Sequence, residues 1–225
     1  MEPCDGKNVY RKIDLRLCII TDAGMVSNRS VERVVLGAIE GGASLIQYRE
    51  KNATMREKYG AASRLCSIVK EQGVPFMVND HADLAVAVRA DGVHLGQDDL
   101  PVCAARRILG AGSVIGVSAG SVAEALQAQS DGAEYVSVGP VYPTRTKPDA
   151  GPAVSPELVR EIVRAVQIPV VVIGGINASN VEAVMALGVS GVAVVSAVMK
   201  AEKPAHATRE IAEIIERFGS KNCAN

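Results

Sequence analysis

Residues 170–177 read Val170-Val171-Val172-Ile173-Gly174-Gly175-Ile176-Asn177. Four consecutive β-branched residues show no alternation of polar and apolar positions. Such a strand is buried on both faces, as in a parallel sheet covered by helices. The glycine pair lets the backbone turn sharply, and helical spacing follows over 178–187. The unit is strand, glycine turn, helix.

The same unit recurs in both directions along the chain. Strands are predicted at Leu15–Thr21, Ala43–Arg49, Pro75–Asn79, Gly92–Leu95, Val114–Ser118, Tyr135–Val138, Val170–Ile173 and Gly191–Ser196. Helical patterns fill 30–41, 54–72, 82–89, 100–109, 121–130, 155–166, 178–187 and 204–218. Ser121 and Ser155-Pro156 carry helix-start chemistry, and Gly73, Gly110, Gly132 and Gly188 follow helix ends. Eight units in 225 residues average about 28 residues, the size of one βα unit. Strands alternating with helices imply a parallel sheet. A closed barrel and an open doubly wound sheet both satisfy that pattern. The even units, the lack of GxGxxG and a length near the usual ~250 favour a single-domain (β/α)8 TIM barrel. It is expected over 15–219, with an N-terminal extension at 1–14 and a C-terminal tail at 220–225.

Composition removes several function classes. Twenty-four Lys+Arg face 25 Asp+Glu, so no basic field exists to attract nucleic acid. Aromatics are 3% of the chain, too few for base-stacking platforms. Cys4, Cys18, Cys66, Cys103 and Cys223 are scattered and form no CxxC. Reduced thiols in a cytoplasmic protein are expected. The start MEPCDGKNVYRK has no apolar segment of the secretory type. The uncharged stretch Ala183–Met199 has 17 residues, short of the ~20 that span a bilayer, so no membrane partner is expected.

A barrel of this class carries its chemistry where strands end, and polar residues collect there. Strand two runs into Gln47-Tyr48-Arg49-Glu50-Lys51. Alternation puts Gln47, Arg49 and Lys51 on one face. Two cations and an amide suit a phosphate or diphosphate; a solvated charge cluster is the plainer alternative. Asn79 and Asp80 end strand three, and Asp98 and Asp99 follow strand four. Asp80 and Asp99 facing across the mouth would suit Mg2+, although either aspartate would equally suit a helix N-cap. His94 stands alone and reads as structural. The connection Gly139–Pro152 is long for a barrel loop and carries Thr144, Arg145, Thr146 and Lys147. Gly174 and Gly175 after strand seven, with Val195 and Ser196 after strand eight, occupy the usual phosphate position of such barrels. Arg49, Lys51 and Lys147 against Asp80 and Asp99, with one Mg2+, balance a diphosphate ester of about −3 charge. A second anion site then implies a second, monophosphorylated ligand.

QYREK, VNDHADLA, GVHLGQDDL, GVSAG, GPVYPTRTKPDAG, VVVIGGIN and VAVVSAV, in that order, resemble the thiamine-phosphate synthase family over about residues 15–200. The resemblance implies a (β/α)8 barrel and a Mg2+ cofactor. It implies coupling of 4-amino-2-methyl-5-(hydroxymethyl)pyrimidine diphosphate to 4-methyl-5-(2-hydroxyethyl)thiazole phosphate, giving thiamine phosphate and diphosphate. It implies that Gln47, Tyr48, Arg49, Glu50, Lys51, Asn79, Ser118 and Lys147 meet the pyrimidine diphosphate. Of these, Arg49, Lys51, Ser118 and Lys147 would be catalytic. Thr144, Arg145, Thr146, Gly174, Gly175, Val195 and Ser196 would hold the thiazole phosphate, and Asp80 and Asp99 the metal. A homodimer is weakly implied. Tyr48 stands where relatives often have Leu, and Ala119-Gly120 where many have Thr-His. A thiazole tautomerase, a Schiff-base aldolase using Lys51 or Lys147, and a non-catalytic phosphate-ligand binding module are the rival readings.

Overall fold

The computed structural model describes residues 13–144 and 151–222. Eight strands close a parallel barrel in sequence order. They are β1 Leu17–Ile20, β2 Leu45–Tyr48, β3 Phe76–Asn79, β4 Gly92–Leu95, β5 Val114–Ser118, β6 Tyr135–Val138, β7 Val170–Ile173 and β8 Gly191–Val194. Closure is made by β1 on β8, with Cys18 opposite Ala193. The helices between them are α1 Val31–Glu40, α2 Met55–Glu71, α3 Ala82–Ala87, α4 Val102–Leu109, α5 Val122–Ser130, α6 Pro156–Ala165 and α7 Val181–Met185. A four-residue α8, Ser196–Met199, and a long α9, Pro204–Asn222, follow β8.

The local chemistry explains the helix starts. Thr54 and Glu57 form a reciprocal capping box at α2. Ser121 accepts from the Glu124 N–H at 3.2 Å, and Ser155 from the Leu158 N–H at 3.2 Å with Pro156 in the first turn. The predicted helix 178–187 is shortened to Val181–Met185. Asn177 and Asn180 side chains take the Ser179 and Asn177 N–H groups, each at 2.9 Å, and hold the entry in turns.

Alternation along each strand divides the core in two. Outward residues such as Ile19, Ile46, Phe76, Val93, Ile115 and Val172 pack under the helices. Inward residues such as Cys18, Leu45, Met77, Tyr135, Val171 and Ala193 form a smaller cluster inside the barrel. Among the described residues no helix is long and apolar enough to cross a membrane.

Candidate active site

Above the inner cluster lies a chamber of ≈ 430 Å³ that opens at the ends of the strands. From β2 it receives Gln47, Arg49 and Lys51. Gln47 is 3% exposed, and its amide N–H donates to Asn79 Oδ1 at 2.7 Å. The Arg49 guanidinium lies 3.9 Å from Asp22. The Arg49 backbone N–H donates to Thr21 Oγ1 at 3.0 Å, which anchors the strand end.

Asp80 and Asp99 both line the chamber. Neither caps a helix: His81 precedes α3 and Pro101 precedes α4. Asp99 instead accepts the Gly96 N–H at 2.6 Å, and Asn79 Nδ2 donates to Asp80 Oδ1. Asp80 sits in the left-handed region, with φ +66°, a conformation costly for a residue with a Cβ. Burial, and then the charge of Asp99, push the Asp80 carboxyl above the usual range.

Among the described residues no group of three or more His, Cys, Asp or Glu is placed to hold a metal. The aspartate pair still fits Mg2+, which needs one or two carboxylates and takes substrate phosphate oxygens and water for the rest. Among the described residues no zinc-type cage is formed.

The opposite wall is made by Thr144, Gly174, Gly175, Val195 and Ser196. Gly174 and Gly175 both have positive φ, +108° and +66°. A Cβ on Gly175 would stand 2.7 Å from Tyr142 Cβ, so the turn has no room for a side chain. Ser196 begins α8 rather than ending β8 as the sequence suggested.

Two of the residues expected at the pyrimidine diphosphate stand apart from the rest. Tyr48 and Glu50 do not line the chamber. They line a separate cleft of ≈ 730 Å³ with Glu32, Glu57 and Arg64, between α1 and α2. The cause is the pleat: neighbours of Gln47 and Arg49 must point outward. Tyr48 stacks on Phe76 with centroids 6.4 Å apart, and its hydroxyl is buried without a hydrogen-bond partner among the described residues. Burial, helped by Glu50, pushes that phenol up to about 12. Arg145, Thr146 and Lys147 lie outside the described residues.

Sequence reasoning placed Ser118 at the chamber but missed the His94–Tyr135 pair beneath it. His94 is 7% exposed and bridges two strands. Its Nδ1 is 2.9 Å from Tyr135 Oη and its Nε2 is 3.0 Å from Ser118 Oγ. Between β4 and β6 lies Gly116, in register with both His94 and Tyr135. The two rings meet over that glycine with centroids 5.5 Å apart. Gln97 adds a bond to the Ser118 carbonyl at 2.5 Å. The strand parity of GVHL, inward at Gly92 and His94, was the available signal.

One rim thus carries cations and paired carboxylates on one side and a side-chain-free glycine turn on the other. Fold and rim together define a (β/α)8-barrel protein suited to phosphorylated small molecules. Residues 17–198 match the model of the family described as thiamine monophosphate synthase, and the chain belongs to that family. A thiamine-phosphate synthase of Chloroflexus aurantiacus is 47% identical over 90% of this chain and 94% of its own. One from Methanospirillum hungatei is 46% identical over 90% and 98%. The solved thiamine phosphate pyrophosphorylase of Pyrococcus furiosus superposes with a TM-score of 0.83 at 43% identity, covering 91% of this chain and 97% of that one.

Proposed function

We propose that the protein is a Mg2+-dependent thiamine-phosphate synthase of the cytoplasm. It joins the pyrimidine diphosphate to the thiazole phosphate and releases diphosphate. The observation that carries this reading is the meeting of Arg49, Lys51, Asp80 and Asp99 in one chamber with the Gly174-Gly175 turn. A tautomerase would need no diphosphate clamp of this kind.

The difficult event is rupture of the methylene C–O bond, with both electrons leaving on the diphosphate. Arg49, Lys51 and Lys147 stabilise the charge that grows on those oxygens. Asp80 and Asp99 would hold Mg2+, which when bound supplies further charge neutralisation to the diphosphate. The aminopyrimidine ring shares the positive charge left on the methylene carbon. Ser118 meets that ring, supported from behind by His94. The thiazole nitrogen then gives its lone pair to the carbon and the C–N bond forms. Holding the thiazole by its phosphate at Gly175 and Ser196 turns an encounter into a positioned attack. No proton must be removed from either reacting atom, so no base is required.

The test is diphosphate release with both substrates and Mg2+, each omitted in turn. Stoichiometric diphosphate and thiamine phosphate only in the complete mixture support the reading. Binding of both ligands without release would leave a binding module in its place.

A further inference from the structure

We propose that Lys58, which touches neither the chamber nor the cleft beside it, is a positioning residue for the Asp80 turn. Lys58 lies in the first turns of α2 and is 9% exposed. Its Nζ stands 3.1 Å from His81 Nε2. An ammonium has only donors, so the imidazole nitrogen accepts. Among the described residues Lys58 is the only Lys, Arg, Asp or Glu that is buried, and it turns its head group to His81 rather than to solvent. That choice points to a task.

The task follows from the neighbours. Asp80 is held in its left-handed conformation between Asn79 and His81. On one side Asn79 is pinned by Gln47 at 2.7 Å. On the other, His81 precedes α3 without a side-chain capping bond. Its ring is thus available to Lys58, which ties α2 to the far end of the turn. The backbone completes the clamp: the Asp80 N–H donates to the His94 carbonyl at 2.8 Å, and the His81 N–H to Asn79 at 2.8 Å. Lys58 and His81 fix where the Asp80 carboxylate points without meeting substrate.

The inference rests on the reading of Asp80 as a cation ligand, so both are tested together. Mn2+ affinity is measured by electron paramagnetic resonance with inorganic diphosphate present, alongside steady-state kinetics and thermal unfolding. Lys58→Met and His81→Ala are each expected to weaken Mn2+ about fivefold to tenfold. The double variant is expected to be no weaker than either single one, because the two side chains act as a unit. The KM for thiazole phosphate stays within twofold, and Lys58→Arg recovers Mn2+ affinity to within twofold of the parent. A merely structural lysine would lower the unfolding temperature and leave Mn2+ affinity alone. That result, or additive losses in the double variant, overturns the proposal. If Lys58→Met does not fold, His81→Ala decides by the same criterion. Asp80→Asn is run in parallel. Unchanged Mn2+ affinity there removes the metal assignment and this proposal with it. A loss there with normal affinity in Lys58→Met and His81→Ala removes the positioning role alone.

Discussion

Gly116→Ala is the sharpest perturbation of the chamber floor. The added methyl would fall within the contact envelope of Tyr135 Cζ, Cε1 and Oη, where carbons normally rest ~3.5–4.0 Å apart. The Tyr135 ring has nowhere to retreat. It is 3% exposed, its hydroxyl is 3.8 Å from Met77 Sδ, and its far side meets His94. Overpacking of a tight core costs about 1–3 kcal/mol. Loss of the Tyr135–His94 bond adds about 1 kcal/mol. The sum, roughly 2–4 kcal/mol, corresponds to a fall in Tm of about 5–15 °C for a chain of this size. Displacing the ring also moves His94 and Ser118, so kcat for diphosphate release should fall at least about tenfold, or ~1.4 kcal/mol. The assays are thermal unfolding and coupled diphosphate detection. In a Tyr135→Leu background the same alanine should cost at least about 1 kcal/mol less, since the clash is gone. A Gly116→Ala protein with a Tm within about 1 °C of the parent and unchanged kcat would refute the glycine-window argument.

Four further variants test the account. Asp80→Asn should raise the Mg2+ requirement of turnover by about tenfold or more. In metal-free protein the same variant should become more stable relative to the parent as pH rises. Burial and Asp99 raise the folded-state pKa of Asp80, so its ionisation weakens the fold above the unfolded value of ~3.9. The Tm difference should be near zero at about pH 4 and widen toward pH 7; a constant difference counts against the crowded pair. Gly175→Ala imposes about 1–2 kcal/mol of left-handed strain. It should raise the KM for thiazole phosphate roughly tenfold with the Mg2+ titration unmoved. Tyr48→Phe deletes an unpartnered buried hydroxyl, so Tm should hold or rise and kcat stay within about twofold. Lys147→Ala should lower kcat by about 10²-fold while the KM for thiazole phosphate moves less than about threefold; equal losses would assign Lys147 to the thiazole side.

Much of the barrel was readable before any coordinates. Gly92–Leu95, Val114–Ser118, Tyr135–Val138 and Val170–Ile173 match their predicted spans residue for residue. Each is a short apolar run closed by glycine or polar residues. β1 and β2 were drawn too long at both ends, β3 by one residue at its start and β8 by two at its end, because flanking residues keep the apolar pattern where strand pairing stops. The four-residue α8 offers no helical period to detect.

The chamber residues after β2 and β3 were legible because polar side chains interrupt apolar strands there, and those after β7 because a glycine pair ends the strand. His94 was not. Its meaning depends on Tyr135, 41 positions away, and on the missing side chain at Gly116 between them. Register supplies that relation, and local pattern does not. The outward turn of Tyr48 and Glu50 was legible from strand alternation. The Lys58–His81 contact joins two helix starts, and no spacing rule brings those together.

The central claim is that the cation-linked diphosphate and the second phosphate bind on separate walls of one chamber. Anomalous diffraction from crystals grown with Mn2+, inorganic diphosphate and thiazole phosphate tests it directly. The account predicts a manganese peak between Asp80 and Asp99 that bridges to diphosphate, with the thiazole phosphate at Gly175 and Ser196. Manganese and diphosphate found together on the β7–β8 wall, with the aspartates bare, would contradict it.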